Sequence, residues 1–534
     1  MNFPRLLRTV RYLKPVQVYG RLGGRMPRPA PNLSPAPHLR VFADAYAPFV
    51  HRESSLVGPA RARFLGEEAD FTGPEGWNDP AQSRLWLYNL HYFDDLTAAG
   101  GVERQAWRRD IVDRWIAENP PGSGAGWEPY PTALRIVNWI KWILSGAPPK
   151  PEWTESLAIQ TRWLASRLEW RLLGNHLMAD IKALIFAGIF FNGPEATGWL
   201  TRGLALHRRQ LDEQVLSDGG HFERSPMYHA TMLEDLLDLI NLARASGVVS
   251  AARLQYWTAT ANRMRSWLAA MTHPDGEIGL FNDAAFGIAA TPAALEAYAA
   301  RLRLGPIEPS PAWLNPSGYV RLAKGDAVAL IDVAPIGPDY LPGHAHADTL
   351  SFELSLGVER IIVNGGTSTY AEGAQRDLER ATASHSTVEV NGLSSSEVWA
   401  GFRVGRRARV RDLQVAEDAV SAAHNGYVHL PGRPIHRRSW RVTNTGLSIT
   451  DTVGGRRETA TARFHLHPDV KVTAGPDGRS GQLATPSGRR VRWTSSEPAR
   501  IEPSEWRPRF GERRPTVQLA VPLAGAPLVT EFSW

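Results

Sequence analysis

The chain has 534 residues, which is too many for one hydrophobic core, so two or three domains are expected. It contains 43% hydrophobic residues and 19 Trp and carries a net charge of +6, as is typical of a well-packed globular protein. It has no Cys, which excludes disulfides and thiolate metal sites. A mildly positive surface favours an anionic partner. No nucleic-acid motif is present, and an acidic polysaccharide fits the charge equally well.

The N-terminal residues 1–11 carry charge but lack the apolar segment and the small-residue cleavage site of a signal peptide. The longest apolar run, residues 181–191, contains Lys182 and is too short to span a bilayer. We therefore expect no transmembrane segment. From the sequence as given, the cytoplasm is the expected compartment and the periplasm is the alternative.

Residues 1–80 are rich in Pro and Gly and are expected to form an extension with short helices. Residues 81–308 have helical periodicity, interrupted by Gly and Pro. Their helices could form a bundle, a solenoid or an α/α toroid, and no short-period repeat supports a solenoid. The long helices predicted here cover residues 153–173, 176–191, 198–216, 228–246 and 251–271.

Residues 309–534 show short runs of strand-forming residues, separated by turn pairs such as Asn391-Gly392 and Gly454-Gly455. Many short strands with such turns predict a β-sandwich or several stacked antiparallel sheets. The chain is therefore predicted to be an α+β multidomain protein. The cleft between its helical and β halves is the default binding site.

Two histidines, His344 and His346, stand in the segment Gly343–Asp348, directly before a strand pattern. Residues i and i+2 of an extended segment share a face, so both imidazoles are expected to point the same way. Such a pair suits a metal site, an acid–base site or both. The alternative is a pair of surface histidines at a loop tip.

The tripeptide Gly174-Asn175-His176 lies between two helical segments. Gly174 can end the first helix and Asn175 can cap the second. Asn175 and His176 are candidate site residues. The alternative is that Asn175 is only a cap and that His176 is an exposed residue of the first turn.

A second polar cluster, Asp218–His229, surrounds a glycine pair where a ligand can approach the backbone closely. Glu223 and Arg224 in it are candidate substrate-binding residues. Tyr228 follows in a first helical turn, where the helix macrodipole is expected to lower its pKa. The alternative for Tyr228 is a helix-packing residue with a solvated hydroxyl.

Asn364 and His385 lie at the ends of strands that follow the histidine pair. Neighbouring strands could bring them to His346, and zinc accepts two imidazole nitrogens and an oxygen. The alternative is a hydrogen-bonded polar cluster without a metal.

In their order and their helical-then-β setting, these segments resemble the heparinase II/III superfamily of polysaccharide lyases over about residues 85–405. The resemblance implies an N-terminal incomplete α/α toroid and a C-terminal antiparallel β-sandwich. The family includes heparin and heparan sulfate lyases, alginate lyases and members associated with bacterial exopolysaccharide. The matching segments are Trp127–Pro131, Arg135–Ile140, Gly174–His176, Asp218–Tyr228, Gly343–Asp348, Val363–Gly366 and Ser384–Val388.

The resemblance also implies catalytic roles. Asn175 looks like the residue that neutralises a uronate carboxylate, and His176 looks like a base or a second carboxylate ligand. Tyr228 looks like the acid that protonates the departing oxygen, and in some members it also serves as the base. His344 looks like the histidine of the second domain that completes the site.

The resemblance implies a structural zinc as well, held by His346 and His385. Members with zinc usually supply an Asp where this chain has Asn364. Zinc is expected to fix the wall of the β domain rather than to act as a Lewis acid.

These roles fit β-elimination. The proton on C5 of a uronic acid becomes removable when donors stabilise the charge that develops on the carboxylate. A base then takes this proton and an acid protonates the O4 leaving group. Arg135 and Trp139, one turn apart on a helix, are candidate contacts for an anion and a sugar ring, and the preferred alternative for Trp139 is a core position.

The predicted function is cleavage of a uronic-acid-containing acidic polysaccharide by β-elimination. One alternative is a non-catalytic glycan-binding protein of exopolysaccharide assembly. Another is a glycoside hydrolase on the same architecture, with Glu223 and Asp218 as the two carboxylates that hydrolysis needs.

Overall fold

A computed structural model describes residues 3–23, 29–100 and 102–534 of the chain. Helices dominate up to Arg301 and antiparallel strands dominate from Trp313 onward, which confirms the predicted α+β class. The α-helices of the described residues are α1 (Phe3–Val10), α2 (Pro15–Gly23), α3 (Gly73–Gly76), α4 (Arg84–Tyr92), α5 (Val102–Glu118), α6 (Pro129–Leu144), α7 (Pro151–Ala165), α8 (Gly174–Phe190), α9 (Pro194–Gln214), α10 (Pro226–Ser246), α11 (Ala251–Ala270), α12 (Pro292–Arg301) and α13 (Ala374–Arg380).

Helix α8 forms the centre of the helical half and packs against α6, α7, α9 and α10. Every residue of α8 except His176 is buried, as expected of a helix that is apolar on nearly all sides. The Lys182 ammonium of α8 is paired inside the protein: Nζ lies 2.6 Å from Asp235 Oδ1 and 2.7 Å from Asp238 Oδ2. His176 is therefore the one side chain that α8 presents at a surface.

The entry into α8 differs from the prediction. The helix predicted over residues 153–173 ends at Ala165, and turns fill the interval before α8. Gly174 begins α8 rather than ending the previous helix, and Asn175 lies in the first turn instead of at the cap. Leu173 and Gly174 have φ values of 64° and 55°, so the backbone reverses sharply before the helix starts.

The strands are β1 (Leu56–Gly58), β2 (Arg61–Phe64), β3 (Glu67–Asp70), β4 (Trp313–Leu314), β5 (Tyr319–Lys324), β6 (Ala327–Asp332), β7 (Phe352–Leu356), β8 (Glu359–Ile362), β9 (Val388–Val390), β10 (Val398–Trp399), β11 (Arg403–Val404), β12 (Val410–Val415), β13 (Ala419–His424), β14 (Ile435–Thr443), β15 (Gly446–Gly454), β16 (Ala460–His465), β17 (Lys471–Ala474), β18 (Ser480–Ala484), β19 (Arg490–Ser495), β20 (Arg500–Trp506), β21 (Arg514–Pro522) and β22 (Leu528–Ser533). The first three form a small sheet inside residues 1–80, where only short helices are predicted. Strands of three or four residues are too short to give a period-two pattern in the sequence.

The β half consists of antiparallel sheets packed face to face. An eight-stranded sheet has the order β12-β13-β14-β15-β22-β19-β18-β17, and the other large sheets are β4-β5-β6-β7-β8 and β20-β21-β16-β9. Phe352 on β7 meets Trp440 on β14, with ring centroids 6.4 Å apart. Phe464 on β16 meets Phe532 on β22 at 5.7 Å. These contacts between sheets form the core of a sandwich.

The segment between α11 and α12 joins the two halves. Asn282 donates to the backbone oxygen of Arg224 at 2.9 Å and accepts from the backbone N–H of His346 at 3.1 Å. The hydroxyl of Ser225 donates to the backbone oxygen of Asp283 at 2.6 Å. One segment thus fixes the start of α10 relative to the histidine loop.

Candidate active site

A buried carboxylate, Asp283, holds both histidines of the loop between β6 and β7. Its Oδ2 lies 2.8 Å from His344 Nδ1 and its Oδ1 lies 2.8 Å from His346 Nε2. The guanidinium of Arg376 binds the same carboxylate, with Nη2 2.7 Å from Oδ2. Burial alone raises the pKa of Asp283, but Arg376 and the two histidines hold it well below its usual range. An anionic Asp283 accepts from His344 Nδ1 and thereby fixes the orientation of the ring, with Nε2 on the opposite side.

Helix α8 brings Asn175 to that nitrogen. Asn175 Nδ2 lies 3.4 Å from His344 Nε2 and donates to Glu223 at 3.2 Å. Glu223 also accepts from the backbone N–H of Asn175 at 3.2 Å, and its Oε2 lies 3.4 Å from His344 Nε2. Glu223 is 1% exposed, so it orients the Asn175 amide and the His344 imidazole from their buried side.

The first turn of α10 places Tyr228 beside the same imidazole. Ser225 caps this helix by accepting from the backbone N–H of Tyr228 at 3.3 Å. The rings of Tyr228 and His344 lie 4.0 Å apart between centroids, and the Tyr228 hydroxyl is 3.0 Å from that of Tyr370. Burial raises the pKa of Tyr228 well above its ordinary value, and Tyr370 raises it further. The lowered pKa predicted from the helix macrodipole is wrong, because burial outweighs it.

His176 follows Asn175 in the first turn of α8, and its side chain is 31% exposed. Its Nδ1 is 2.8 Å from Glu169 Oε2, and its ring stacks on Tyr130 at 4.3 Å between centroids. A carboxylate on Nδ1 orients the ring and directs Nε2 away from Glu169.

Three predicted catalytic residues, Asn175, Tyr228 and His344, are thus in contact at the junction of the two halves, and His176 follows Asn175 in the chain. The other partly exposed rings nearby belong to Tyr370 and Phe402. The ring of Phe402 lies 6.0 Å from that of His344. The site contains an amide donor, an imidazole and a neutral phenol, which is a set suited to moving a proton near an anion.

Two predicted substrate-binding residues lie in the core instead. Arg135 is fully buried, donates to Gln160 at 2.9 Å and stacks on Trp115. Trp139 is 1% exposed and packs edge-on against Trp115 and Phe93. A sugar cannot reach either side chain, so the prediction that they contact substrate is wrong.

Glu223 and Arg224, the other two predicted substrate-binding residues, are not positioned as direct substrate ligands. Arg224 is 8% exposed and donates to the backbone oxygens of Ser317 and Phe222, both at 3.0 Å. Asp218 accepts from the backbone N–H and the hydroxyl of Ser317, at 3.0 and 2.7 Å. Asp218 therefore fixes a loop, and the pair with Glu223 that a hydrolase would require is not supported.

The predicted zinc ligands are only partly brought together. His346 Nδ1 lies 3.2 Å from His385 Nε2, a separation that fits a direct hydrogen bond. Asn364 Nδ2 lies 3.5 Å from Ser351 Oγ instead, and the Asn364 carbonyl oxygen is buried without a hydrogen-bond partner. Within residues 3–23, 29–100 and 102–534, no three His, Cys, Asp or Glu side chains are grouped as metal ligands. The described residues do not make a complete zinc site. Zinc binding stays a prediction for metal analysis of the purified protein.

Several residues that build the site were not predicted. Asp283 and Arg376 lie 61 and 32 residues from His344 in sequence, and Glu169 and Tyr370 stand outside the matched motifs. The Asn282-Asp283 pair after an apolar segment is a weak signal for a buried polar turn. Tyr370 has no sequence signal that separates it from a packing residue.

Comparisons with known proteins support the same architecture. Residues 151–301 match the family model "Heparinase II/III N-terminus", and residues 306–534 match "Heparinase II/III-like, C-terminal". A solved structure of heparinase III superposes with a TM-score of 0.66 at 17% identity, covering 88% of this chain and 79% of that one. This likeness confirms the predicted α/α toroid followed by a β-sandwich.

Two relatives differ in how much of them aligns. FtsZ-localized protein C of Caulobacter vibrioides is 28% identical over 505 residues, which are 88% of this chain and 83% of that protein. A heparin-sulfate lyase of Bacteroides stercoris is 28% identical over 243 residues, which are 41% of this chain and only 36% of the enzyme. The two family models together cover most of the sequence. The chain belongs to the heparinase II/III-like superfamily, whose relatives include polysaccharide lyases.

Proposed function

We propose that the protein is a lyase that cleaves a uronic-acid-containing acidic polysaccharide by β-elimination. The main support is one contact group that joins both halves: Tyr228 stacks on His344, and Asn175 lies 3.4 Å from His344 Nε2. The reaction requires three groups: an acid, a base and a hydrogen-bond donor to the substrate carboxylate.

In this proposal Asn175 and His176 bind the uronate carboxylate. The Asn175 amide has two N–H groups, and Glu223 occupies one direction. The second points toward His344 Nε2 and can turn to a carboxylate oxygen. Charge that develops on this carboxylate is then stabilised where it forms.

His344 is the proposed base, because Asp283 binds its Nδ1 and so orients Nε2 toward Asn175. Nε2 takes the C5 proton, the C5–H electron pair forms the C4–C5 double bond, and the C4–O4 bond breaks. Tyr228 is the proposed acid: its raised pKa keeps it protonated at neutral pH, and it gives its proton to O4. Return of the proton from the His344 imidazolium to the Tyr228 phenolate restores both groups.

The stereochemistry follows from the position of acid and base. Tyr228 and His344 are stacked, so both act from one side of the sugar ring. The C5–H and C4–O4 bonds must then lie on the same face, as they do in glucuronate and not in its C5 epimer iduronate. We therefore propose polymers of the glucuronate type as substrates.

The test is to incubate the protein with matched polymers that contain glucuronate or iduronate. Ultraviolet absorbance measures unsaturated uronate ends, and mass spectrometry measures products that lack the water added by hydrolysis. Unsaturated ends from the glucuronate polymer support the proposal. Products that contain the added water would indicate a hydrolase instead.

A non-catalytic glycan-binding role is the second candidate. It is favoured by one observation: the relative that aligns with 88% of this chain is named for its localisation with FtsZ and not for an enzymatic activity. This role predicts binding of the acidic polymer without any unsaturated product. It also predicts that Tyr228→Phe leaves that binding unchanged.

A further inference from the structure

Helices α1 and α2 expose an apolar stripe that no described part of the chain covers. It consists of Phe3, Leu7, Val10, Val18, Tyr19 and Leu22, whose exposed fractions range from 38% to 70%. The three α1 members follow the spacing i, i+4, i+7, so they share one helical face. Val18 and Leu22 are also one turn apart on α2.

The opposite, inward sides of these helices make mainly polar contacts, apart from Val16 of α2, which packs against a hydrophobic core. Arg5 and Arg8 bind Glu397, with their Nε atoms 3.1 and 2.9 Å from its carboxylate oxygens. The hydroxyl of Thr9 accepts from Trp399 Nε1 at 3.2 Å. Gln17 of α2 is 3% exposed and donates to the backbone oxygen of Tyr340 at 3.2 Å.

This arrangement reverses the usual one. A helix on the surface of a globular protein buries its apolar side and exposes its charges. Here charges and amides attach the helices to the protein, and the apolar side faces outward. An apolar face kept outward by polar contacts is available to a separate apolar phase or partner.

The charge of the segment identifies the chemistry of that partner. Residues 1–43 contain eight Lys and Arg and no Asp or Glu, so they carry more positive charge than the whole chain, whose net charge is +6. Arg11, directly after α1, and Arg21 on α2 are exposed. The stripe therefore lies on a positive surface.

We propose that α1 and α2 dock the protein on an anionic lipid bilayer. The apolar stripe enters the boundary between headgroups and acyl chains, and Arg11 and Arg21 lie at the level of the anionic headgroups. The attachment is peripheral, because helices of eight and nine residues are far shorter than a bilayer span. No helix in the described part of the chain is long and apolar enough to cross a membrane.

A second copy of the chain is a less suitable occupant. A twofold interface places the same patch on both sides, so the arginines beside one stripe would face those beside the other. Like charges brought together in this way oppose association. An anionic bilayer satisfies both the apolar side chains and the cations.

Vesicle co-sedimentation of the full chain tests the proposal. We expect the protein to pellet with vesicles of equal parts phosphatidylcholine and phosphatidylglycerol and to stay in solution with phosphatidylcholine alone. Leu7→Glu combined with Leu22→Glu should weaken binding at least about tenfold, because two apolar side chains are withdrawn from the acyl boundary. Arg11→Glu with Arg21→Glu should do the same, since each cation near an anionic leaflet contributes about fivefold.

The matched control is Val358→Glu, which places the same charge at a 68% exposed apolar position in the β half. It should bind like the unchanged protein. Equal binding by the control and the Leu7/Leu22 variant would overturn the proposal. So would loss of a dimer, rather than loss of vesicle binding, in that variant.

A fluorescent reporter gives an independent measurement. Because the chain has no Cys, Val18→Cys and Val358→Cys each provide a single labelling position for an environment-sensitive dye. Phosphatidylglycerol vesicles should shift the dye emission to the blue at position 18 and leave it unchanged at position 358. An unchanged emission at both positions would contradict bilayer docking.

Discussion

The imidazole of His344, on the loop before β7, lies against the phenol ring of Tyr228 in the first turn of α10, with ring centroids 4.0 Å apart. The two residues come from different halves of the chain and are 116 positions apart. Their contact places the proposed base and the proposed acid next to each other where the two halves of the chain meet. The proposed elimination depends on this contact.

Tyr228→Phe removes the proposed acid and keeps the ring. We expect kcat on a susceptible polymer to fall about 10²–10⁴-fold, because a positioned acid contributes this much, while KM changes little. Initial rates of ultraviolet-absorbing product formation measure the effect. Tyr256→Phe, which removes a hydroxyl that binds Asp212 on the surface, is the control and should keep full activity. Full activity of Tyr228→Phe would remove Tyr228 from the mechanism.

Asp283→Asn should abolish turnover without direct loss of a substrate contact. The amide no longer fixes the Nδ1–H tautomer of His344, and it leaves Arg376 buried without its anion. We expect activity to fall by about 10³-fold or more. The variant should also lose about 3–5 kcal/mol of unfolding free energy.

The β half supplies a matched control for that variant. Asp451 is fully buried, lies 2.7 Å from His436 Nε2 and binds Arg438 Nε at 2.7 Å, as Asp283 binds a histidine and an arginine. Asp451→Asn should cost comparable stability and keep the kcat of the folded protein. Equal loss of kcat in the two variants would show that Asp283 acts only through stability.

Gly174→Ala should disrupt the site at the start of α8. Gly174 has φ of 55°, and an added Cβ would lie 2.4 Å from Glu223 Oε1 and 2.3 Å from a methyl carbon of Leu341. Glu223 would then release Asn175. Gly193→Ala is the control, because that glycine has φ of 103° and open space around its Cβ position. Both variants should lose about 1–3 kcal/mol of stability to backbone strain, but only Gly174→Ala should lose activity. Thermal unfolding and initial rates measure the two effects.

Much of the fold was predictable from the order of helical and strand patterns, and the resemblance placed Asn175, His176, Tyr228 and His344 in one family site. Asp283 and Glu169 were not predictable, because their contacts with His344 and His176 depend on how the segments pack. Sequence periodicity placed Arg135 and Trp139 on one helical face, but it does not tell which face is the core. The structure buries both side chains in the core.

The pKa of Tyr228 could not be predicted for a related reason. The macrodipole of α10 is readable from the sequence, but the burial of the phenol and the hydroxyl of Tyr370 are tertiary features. The small sheet β1–β3 escaped prediction because its strands are shorter than two periods of alternation.

Stability should fall as the pH is lowered from 7 to 4. Burial lowers the pKa of His346 to about 4 and that of His229 to about 3, from an ordinary value of 6.5. Below pH 6.5 the unfolded chain therefore binds protons that the folded chain does not, and unfolding becomes easier. We expect a loss on the order of several kcal/mol over this range, measured by calorimetry. The low pKa of Asp283 adds a further loss below about pH 4. An unfolding temperature that stays constant from pH 7 to pH 4 would contradict these shifts.

The most direct measurement is the chemical structure of the products formed from a glucuronate-containing polymer. The proposed mechanism predicts a C4–C5 double bond at each new non-reducing end, visible by ultraviolet absorbance and by mass, and its loss in Tyr228→Phe. Intact polymer that binds to the protein, or saturated ends that contain the elements of water, would contradict it.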